Sequence, residues 1–451
     1  WRQWLKLVLA TSGLAAALTT AVMTAYVHNV RFDLSPGNRF TLSDHALAVL
    51  RDLDRPVTIT AFIRTQDARN PVLKDLLWQA AHESPQIDYD VVDINRSPAL
   101  ATAKGVSSYG AAVVESGGRR ADFSHPTETH LVSAIVHVTR PPKKIYLAGG
   151  HGECSPRDTD RHRGCSLMAT ALSTELYEVE ELKLPVSDRI PGDADLLIIA
   201  GPRTDLLESE IDRLRAYLDR GGSLLLLIDP HRDSHLGAFL ESYGIEIRSD
   251  VVMDPDNRLA GGEPFSLVIT DLSPRHLVTA TLDSPPLLSG VRSLTGRGGD
   301  DSGRTVTRLL RSGSRSWASF DPGVMEKASA PKFRAGRDLN GPFTVGLEVR
   351  VALDGPEGAV ARLGVYGDSD FVNNRFLDYL GNKDLLLNTV NWLAREDRLI
   401  SARPKRKAPG RHQFFISQAE GSGLFWGAVV VEPLLFVLVG VVLLIRGRLS
   451  P

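Results

Sequence analysis

The segment LLIIAGPRTDLLESEIDRLRAYLDRGGSLLLLI, residues 196–228, holds two apolar runs separated by one amphipathic helix. Residues 196–200 (LLIIA) and 224–228 (LLLLI) lack the polar alternation of a half-exposed strand. Strands of this kind are covered on both faces, which indicates a parallel sheet between helices. Residues 208–219 form the intervening helix, ended by Gly221-Gly222. Two more strands follow the pattern. Residues 144–148 (KIYLA) precede Gly149-Gly150-His151-Gly152-Glu153, and residues 362–366 (RLGVY) precede Gly367-Asp368-Ser369-Asp370-Phe371. Helices at 376–380 and 385–395 close an α/β domain spanning residues 143–400.

Each of these strands ends in a polar, glycine-bearing turn. Open α/β sheets bind ligands at the carboxyl ends of their strands. Gly150, His151, Glu153, Asp229, Asp368, Ser369, Asp370 and Asn373 are therefore candidate ligand- or partner-binding residues. Asp, Ser and Asn are also good helix caps, and glycine permits tight turns, so both readings stand. No catalytic residue emerges. Gly152-Glu153-Cys154-Ser155-Pro156 departs from the Gly-x-Cys-x-Gly elbow of class I glutamine amidotransferases at Pro156. There is no G-x-S-x-G elbow and no G-x-x-x-x-G-K-[ST] phosphate loop, so ATP hydrolysis is not expected. His151, Glu153, Asp158, Asp160 and His162 match no zinc spacing; no metal or cofactor is expected. Two cysteines allow no disulfide framework; Cys154 and Cys165 can pair in an oxidising compartment, but nothing requires it.

Residues 31–142 read as a separate domain. Residues 56–64, 87–94, 111–115 and 119–123 are strands, and residues 71–81 and 98–104 are helices. Gly117-Gly118 turns the last two strands into a hairpin. This order resembles the thioredoxin fold without its redox feature: residues 65–70 hold no Cys-x-x-Cys, and Tyr109-Gly110 stands where that fold carries a cis-proline. Residues 128–139 form a bridging helix whose His130 and His137 read as structural. Between 250 and 340 the pattern weakens. Short β-like pieces at 266–270 and 276–281, loops at 295–304 and 312–316, and a strand at 343–353 indicate a partly β insertion.

Both ends are apolar. Residues 7–27 contain no charge and read as a membrane span or as a signal peptide with a long apolar core, and residues 424–445 (LFWGAVVVEPLLFVLVGVVLLI) contain only Glu432. Each is long enough to cross a bilayer core, which takes ~20 residues as helix. The expected organisation is an N-terminal span within 1–30, a basic linker at 401–423 and a C-terminal span within 424–451. Glu432-Pro433 is either an interfacial helix start or a contact with a partner membrane helix. Arg2, Lys6, Arg446 and Arg448 favour cytoplasmic ends, whereas Arg403, Lys405, Arg406, Lys407 and Arg411 favour the reverse. Large domains translocate largely regardless of charge, which weakens the argument from the second basic run. The chain opens on Trp1 rather than Met, which leaves room for sequence upstream. A net charge of −2 gives no electrostatic case for nucleic acid.

The ordered motifs PVTITAFI, GGHGE, DADLLIIAGP, YLDRGGSLLLLIDP, HLVT, VYGDSDFVNN and LGNKDLLLNTVNWLAREDRLI carry a family resemblance. Together with the two apolar ends, they resemble the gliding-motility-type (GldG-like) auxiliary components of ABC transporters. The central domain is similar to the intraflagellar-transport-type (GIFT) α/β domain. The resemblance implies a non-enzymatic subunit of the bacterial cytoplasmic membrane, beside a separate permease and ATPase. Its extracytoplasmic domain would bind a periplasmic protein or envelope polymer, with membrane lipid around its spans. The alternative class is a membrane-tethered hydrolase or amidotransferase-like enzyme acting on envelope glycan, with His151, Glu153 and Asp368 as acid, base or ligand positions.

Overall fold

The computed structural model describes residues 42–397, apart from 65–69, 107–109, 125, 141, 176, 232–234, 260–261, 298–302, 327–330 and 354–358. Toward the ends it describes residues 4, 11–14, 16–20, 23, 423, 425–438 and 440.

The first unit runs α1 (Asp44–Arg51), β1 (Val57–Ile63), α2 (Asn70–Glu83), β2 (Ile87–Asp93), α3 (Pro98–Ala103), β3 (Ala111–Ser116), β4 (Arg119–Phe123) and α4 (Glu128–Thr139). The sheet order is β2-β1-β3-β4, with β1 parallel to β2 and antiparallel to β3. From β1 onward this is the β-α-β-α-β-β-α order expected from the sequence. Side chains alternate across a strand, and β1 shows the consequence. Val57, Ile59, Ala61 and Ile63 pack with Leu50, Leu77, Leu131 and Ile135 from α1, α2 and α4. Phe62 turns the other way, onto Val92, Ala101 and Val113. Ser43 caps α1 through Oγ, and its backbone N–H donates to Glu128 Oε2 at 3.1 Å, tying α1 to the start of α4. Gly117 and Gly118 both have positive φ, 55° and 81°, as the β3–β4 hairpin requires. Residues 65–69 and Tyr109, where redox features were sought, lie outside the described residues.

The second unit begins with β5 (Lys144–Gly149), α5 (Ser166–Thr174), β6 (Glu178–Lys183), β7 (Ala194–Ala200), α6 (Glu208–Asp219), β8 (Ser223–Leu227) and α7 (Leu236–Glu241). It continues through β9 (Ile245–Ile247), β10 (Val251–Met253), β11 (Ser266–Val268), β12 (Asp271–Leu272), α8 (Leu277–Ala280), β13 (Leu287–Ser289) and β14 (Leu294–Gly296). Then come β15 (Arg304–Arg311), β16 (Trp317–Ser319), β17 (Leu339–Asn340), β18 (Thr344–Ala352), β19 (Val360–Tyr366) and α9 (Asn382–Leu393). Five strands are parallel in the spatial order β6-β5-β7-β8-β19. On the β19 side the sheet continues antiparallel through β18, β15 and β12. The alternation again sorts the core. Ile145, Leu147, Leu196, Ile198, Leu225 and Leu227 face one layer with Met168 of α5 and Leu386 of α9. Tyr146, Leu197, Ile199, Leu224 and Leu226 face the other, with Leu214 of α6 and Phe239 of α7. At about 25 cal/mol per Å² of apolar surface, these two layers are the main stabilising term of the domain.

The insertion is partly β, as expected: β10-β16-β17 form one small sheet and β11-β13 another. Several of its elements differ from the sequence reading. Residues 277–280 are helix α8, because His276 accepts the Val278 N–H on Nδ1 at 3.3 Å and caps it. Residues 376–380 form turns rather than a helix. Leu380 has φ 45°, and Asn382 Nδ2 donates to the Phe376 carbonyl at 3.0 Å, diverting it from helical pairing. Part of the 295–304 loop is strand β14, and the loop ends where β15 begins. Cys154 and Cys165, left open by the sequence, are joined in a disulfide.

Among the described residues no helix is long and apolar enough to cross a membrane. Most of 7–27, residues 424, 439 and 441–445, and the basic run from 403 to 411 lie outside the described residues. Within the second apolar stretch, Trp426–Val431 is a π-helical turn, and Glu432 and Pro433 continue as exposed α-helix.

Candidate functional site

A cavity of about 260 Å³ opens where β5, β7, β8 and β19 end. It lies where the strand order reverses, between β5 and β7, which is the usual ligand position in such sheets. Of the candidates, Glu153, Asp229, Ser369, Asp370 and Asn373 line it, joined by Gly201, Arg203, Asp158, His162 and Arg163. Gly150, His151 and Asp368 do not. Gly201 has φ 66°, and a side chain there would meet the Ser369 hydroxyl.

The turn after β19 is held by carboxylates. Asp229 accepts the Ser369 N–H at 2.7 Å and its hydroxyl at 2.8 Å. Asp368 is fully buried and accepts the N–H groups of Ser289 and Asp370 at 3.0 and 2.9 Å. Asn373 Nδ2 donates to Asp370 Oδ1 at 2.9 Å, while its Oδ1 caps the following turn. Burial, then the charges of Asp370 and Asp229, push the Asp368 carboxyl well above the usual carboxylate range. Burial and the Asp229 charge push Asp370 up to about 6, against the Asn373 hydrogen bond that favours its ionised form. Asp368 and Asp370 therefore resist ionising together beside Asp229.

This sets a pH dependence. A carboxyl whose folded pKa is raised binds more protons folded than unfolded between the two values, so stability falls as pH rises across that interval. For Asp370 the interval is 3.8 to about 6. Asp370→Asn removes the charge and keeps an acceptor for Asn373. It is expected to stabilise the protein by about 2 kcal/mol at pH 8 and by almost nothing at pH 4, read by denaturant titration at both pH values. Equal gains at the two pH values would refute the charge explanation.

His151 turns away from the cavity. Its Nε2 lies 3.0 Å from Glu210 Oε2 and its Nδ1 3.5 Å from Glu153 Oε1; all three side chains are buried. Its carbonyl accepts the N–H groups of Arg203 and Thr204 at 2.7 and 3.1 Å. His151 is thus a brace for the loop after β7. Gly150 has φ 123° and packs on Pro185, so it serves the turn.

Several residues of the site escaped the sequence reading, Arg163 of the disulfide-closed loop among them. Arg203 and Gly201 sit in the GPRTD turn, Glu210 on the amphipathic helix, and Asn374 beside a residue that was chosen. Asn374 Oδ1 accepts the Leu167 N–H at 2.9 Å, and its Nδ2 donates to the carbonyls of Asp158 and Asp160 at 3.1 and 2.9 Å. It ties the disulfide-closed loop to the turn after β19. Among the described residues no group of three or more His, Cys, Asp or Glu is arranged to hold a metal ion.

A family model described as "ABC-type uncharacterized transport system" matches residues 142–389, and a model of a domain of unknown function matches residues 36–123. Intraflagellar transport protein 52 homologs of Mus musculus and Homo sapiens are 32% identical over 82 residues and 28% over 81. Each match covers 17% of this chain, and the chain spans only 19% and 18% of those relatives' length. Among solved structures, the N-terminal domain of an intraflagellar transport protein 52 is similar at 18% identity and a TM-score of 0.41, over 55% of this chain and 96% of that one. A ThuA-like protein from Bacteroides uniformis gives 14% and 0.32, over 56% and 91%. Mitochondrial thioredoxin 3 from Saccharomyces cerevisiae gives 16% and 0.17, over 20% and 82%.

Proposed function

From the premise that the chain belongs to the ABC-type uncharacterized transport system family of GldG-like auxiliary components, we propose a non-enzymatic subunit anchored in the bacterial cytoplasmic membrane. Its two apolar ends are the anchors. The α/β domain stands outside the membrane and binds a periplasmic protein or an envelope polymer through the cavity at the strand ends. The anchors pass the bound state to a permease and a separate ATPase. Transmission requires that the partner bind two conformations of the domain unequally.

One observation supports both the location and the lack of catalysis. Cys154, which lines the cavity, is joined to Cys165 in a disulfide. Disulfides persist in oxidising compartments and are rare in the cytosol. A sulfur held in this way is no nucleophile, because attack needs the free thiolate.

Purifying the full-length chain in mild detergent and identifying the co-eluting proteins tests the reading. A permease and an ATPase are expected; a lone chain with hydrolytic turnover would overturn it. Glu432→Leu is expected to reduce that recovery if Glu432 meets a partner helix, and unchanged recovery would dismiss the contact. The rival reading, a tethered hydrolase acting on envelope glycan, draws on the raised Asp370 carboxyl. It requires a turnover that His151→Ala or Glu153→Ala abolishes while assembly persists.

A further inference from the structure

Arg157, Arg161 and Arg163 lie on the loop closed by the disulfide, and Arg203 faces it from the loop after β7. All four are exposed, and among the described residues none makes a side-chain hydrogen bond or ion pair. The acids of the same loop are otherwise engaged. Asp158 accepts the Asp160 N–H at 2.8 Å, and Asp160 accepts those of His162 and Arg163, each at 2.9 Å. They shape the turns, so the guanidinium groups meet the nearby charges of Asp160 and Asp370 only at a distance, without a direct ion pair.

The loop is also fixed before any ligand arrives. The disulfide closes it, Cys165 N–H donates to the Ser155 carbonyl at 3.0 Å, and Asn374 holds two of its carbonyls. Arginines on a fixed loop lose little freedom on binding, so more of their interaction appears as affinity.

The cavity behind them has a different character. Arg163, Arg203 and His162 are cations or donors, whereas Glu153, Asp158, Asp229 and Asp370 present acceptors, joined by Ser369 and Asn373. The guanidinium fork suits phosphate oxygens. The carboxylates repel a phosphate but accept from hydroxyls. A ligand that satisfies both parts carries phosphates for the rim and hydroxyls for the floor. Polyglutamate supplies anions without hydroxyl donors.

We propose that this loop and cavity bind a polyol phosphate, in which phosphates alternate with hydroxyl-bearing carbons. This deepens the reading above and rests on its placing this face outside the membrane. The same chemistry occurs in soluble polymers and in lipid headgroups.

The full-length protein in mild detergent is titrated with poly(glycerol phosphate), with phosphatidylglycerol vesicles and with polyglutamate of matched charge. Arg163→Gln/Arg203→Gln is compared with Arg337→Gln, an exposed arginine of the insertion. Binding of either glycerol phosphate probe that falls roughly ten-fold or more in the double variant, and not in the control, supports the proposal. The polymer arm and the vesicle arm then tell the two sources apart. Equal binding of polyglutamate, equal loss in the control, or no binding of either probe overturns it. Co-elution with permease and ATPase is read on the same samples. If co-elution persists without probe binding, this inference alone fails; if co-elution is lost as well, the reading beneath it fails.

Discussion

Glu210→Ala is expected to lower the stability of the α/β domain by about 3 kcal/mol, the upper range for leaving buried hydrogen-bonding groups without their acceptor. Glu210 has no exposure. Its Oε2 accepts the Leu207 N–H at 2.6 Å at the start of α6 and meets His151 Nε2 at 3.0 Å. Oε1 lies 3.8 Å from the Arg213 guanidinium. Truncation leaves a buried imidazole facing Glu153 alone, an unpaired N–H at a helix start and an arginine without its acid. Water cannot easily replace the lost oxygens, because the His151 side chain is only 7% exposed. Glu210→Gln keeps one acceptor and is expected to cost about half as much. Urea titrations of the two variants with unchanged slope check this; a loss under 1 kcal/mol for Glu210→Ala would mean the pair is not a brace. The effect reaches the cavity. His151 holds the N–H groups of Arg203 and Thr204, so releasing the ring loosens the loop that carries Arg203 and Gly201.

Glu210 also shows where sequence reading stops. On a helix with Glu208, Asp212, Arg213 and Arg215, its charge looks like one more solvated group. Only the packing of His151 against that helix reveals its inward turn. The opposite holds for β5, β7, β8 and β19, whose unbroken apolar runs need two covered faces and so reveal the sheet. Strand β6 was invisible because it is an edge: EVEELK carries four charges and leaves alternate residues in solvent. Apart from β15, the strands between 250 and 340 are two or three residues long, too short for any period to show. Five of the eight site candidates share the cavity, because the carboxyl ends of parallel strands meet on one edge. His151 was chosen for its position in the turn, and its direction lay beyond what spacing can tell.

Cys154→Ser/Cys165→Ser is expected to cost about 3 kcal/mol, the chain-entropy value for a closed loop of this length. The sequence separation is 11, and the double substitution avoids leaving one reactive thiol. Tm should fall by roughly 6–12 °C in a domain of this size. Adding a thiol reductant to the wild-type protein should reproduce the shift, and adding it to the variant should do nothing. A variant as stable as the wild type would show that Asn374, the 3.0 Å Cys165-to-Ser155 bond and the isolated Ser155–Gly164 bridge already hold the loop. The two limbs are not equally exposed to the loss. Asn374 anchors Asp158, Asp160 and the start of α5, whereas Cys154 is tied to β7 by one backbone bond to the Ala200 carbonyl at 3.1 Å. Opening should therefore begin on the β5 side, beside Glu153 and the cavity. Hydrogen exchange on the reduced protein should show faster exchange at 152–155 than at 165–168, and the reverse order would contradict this division of the load.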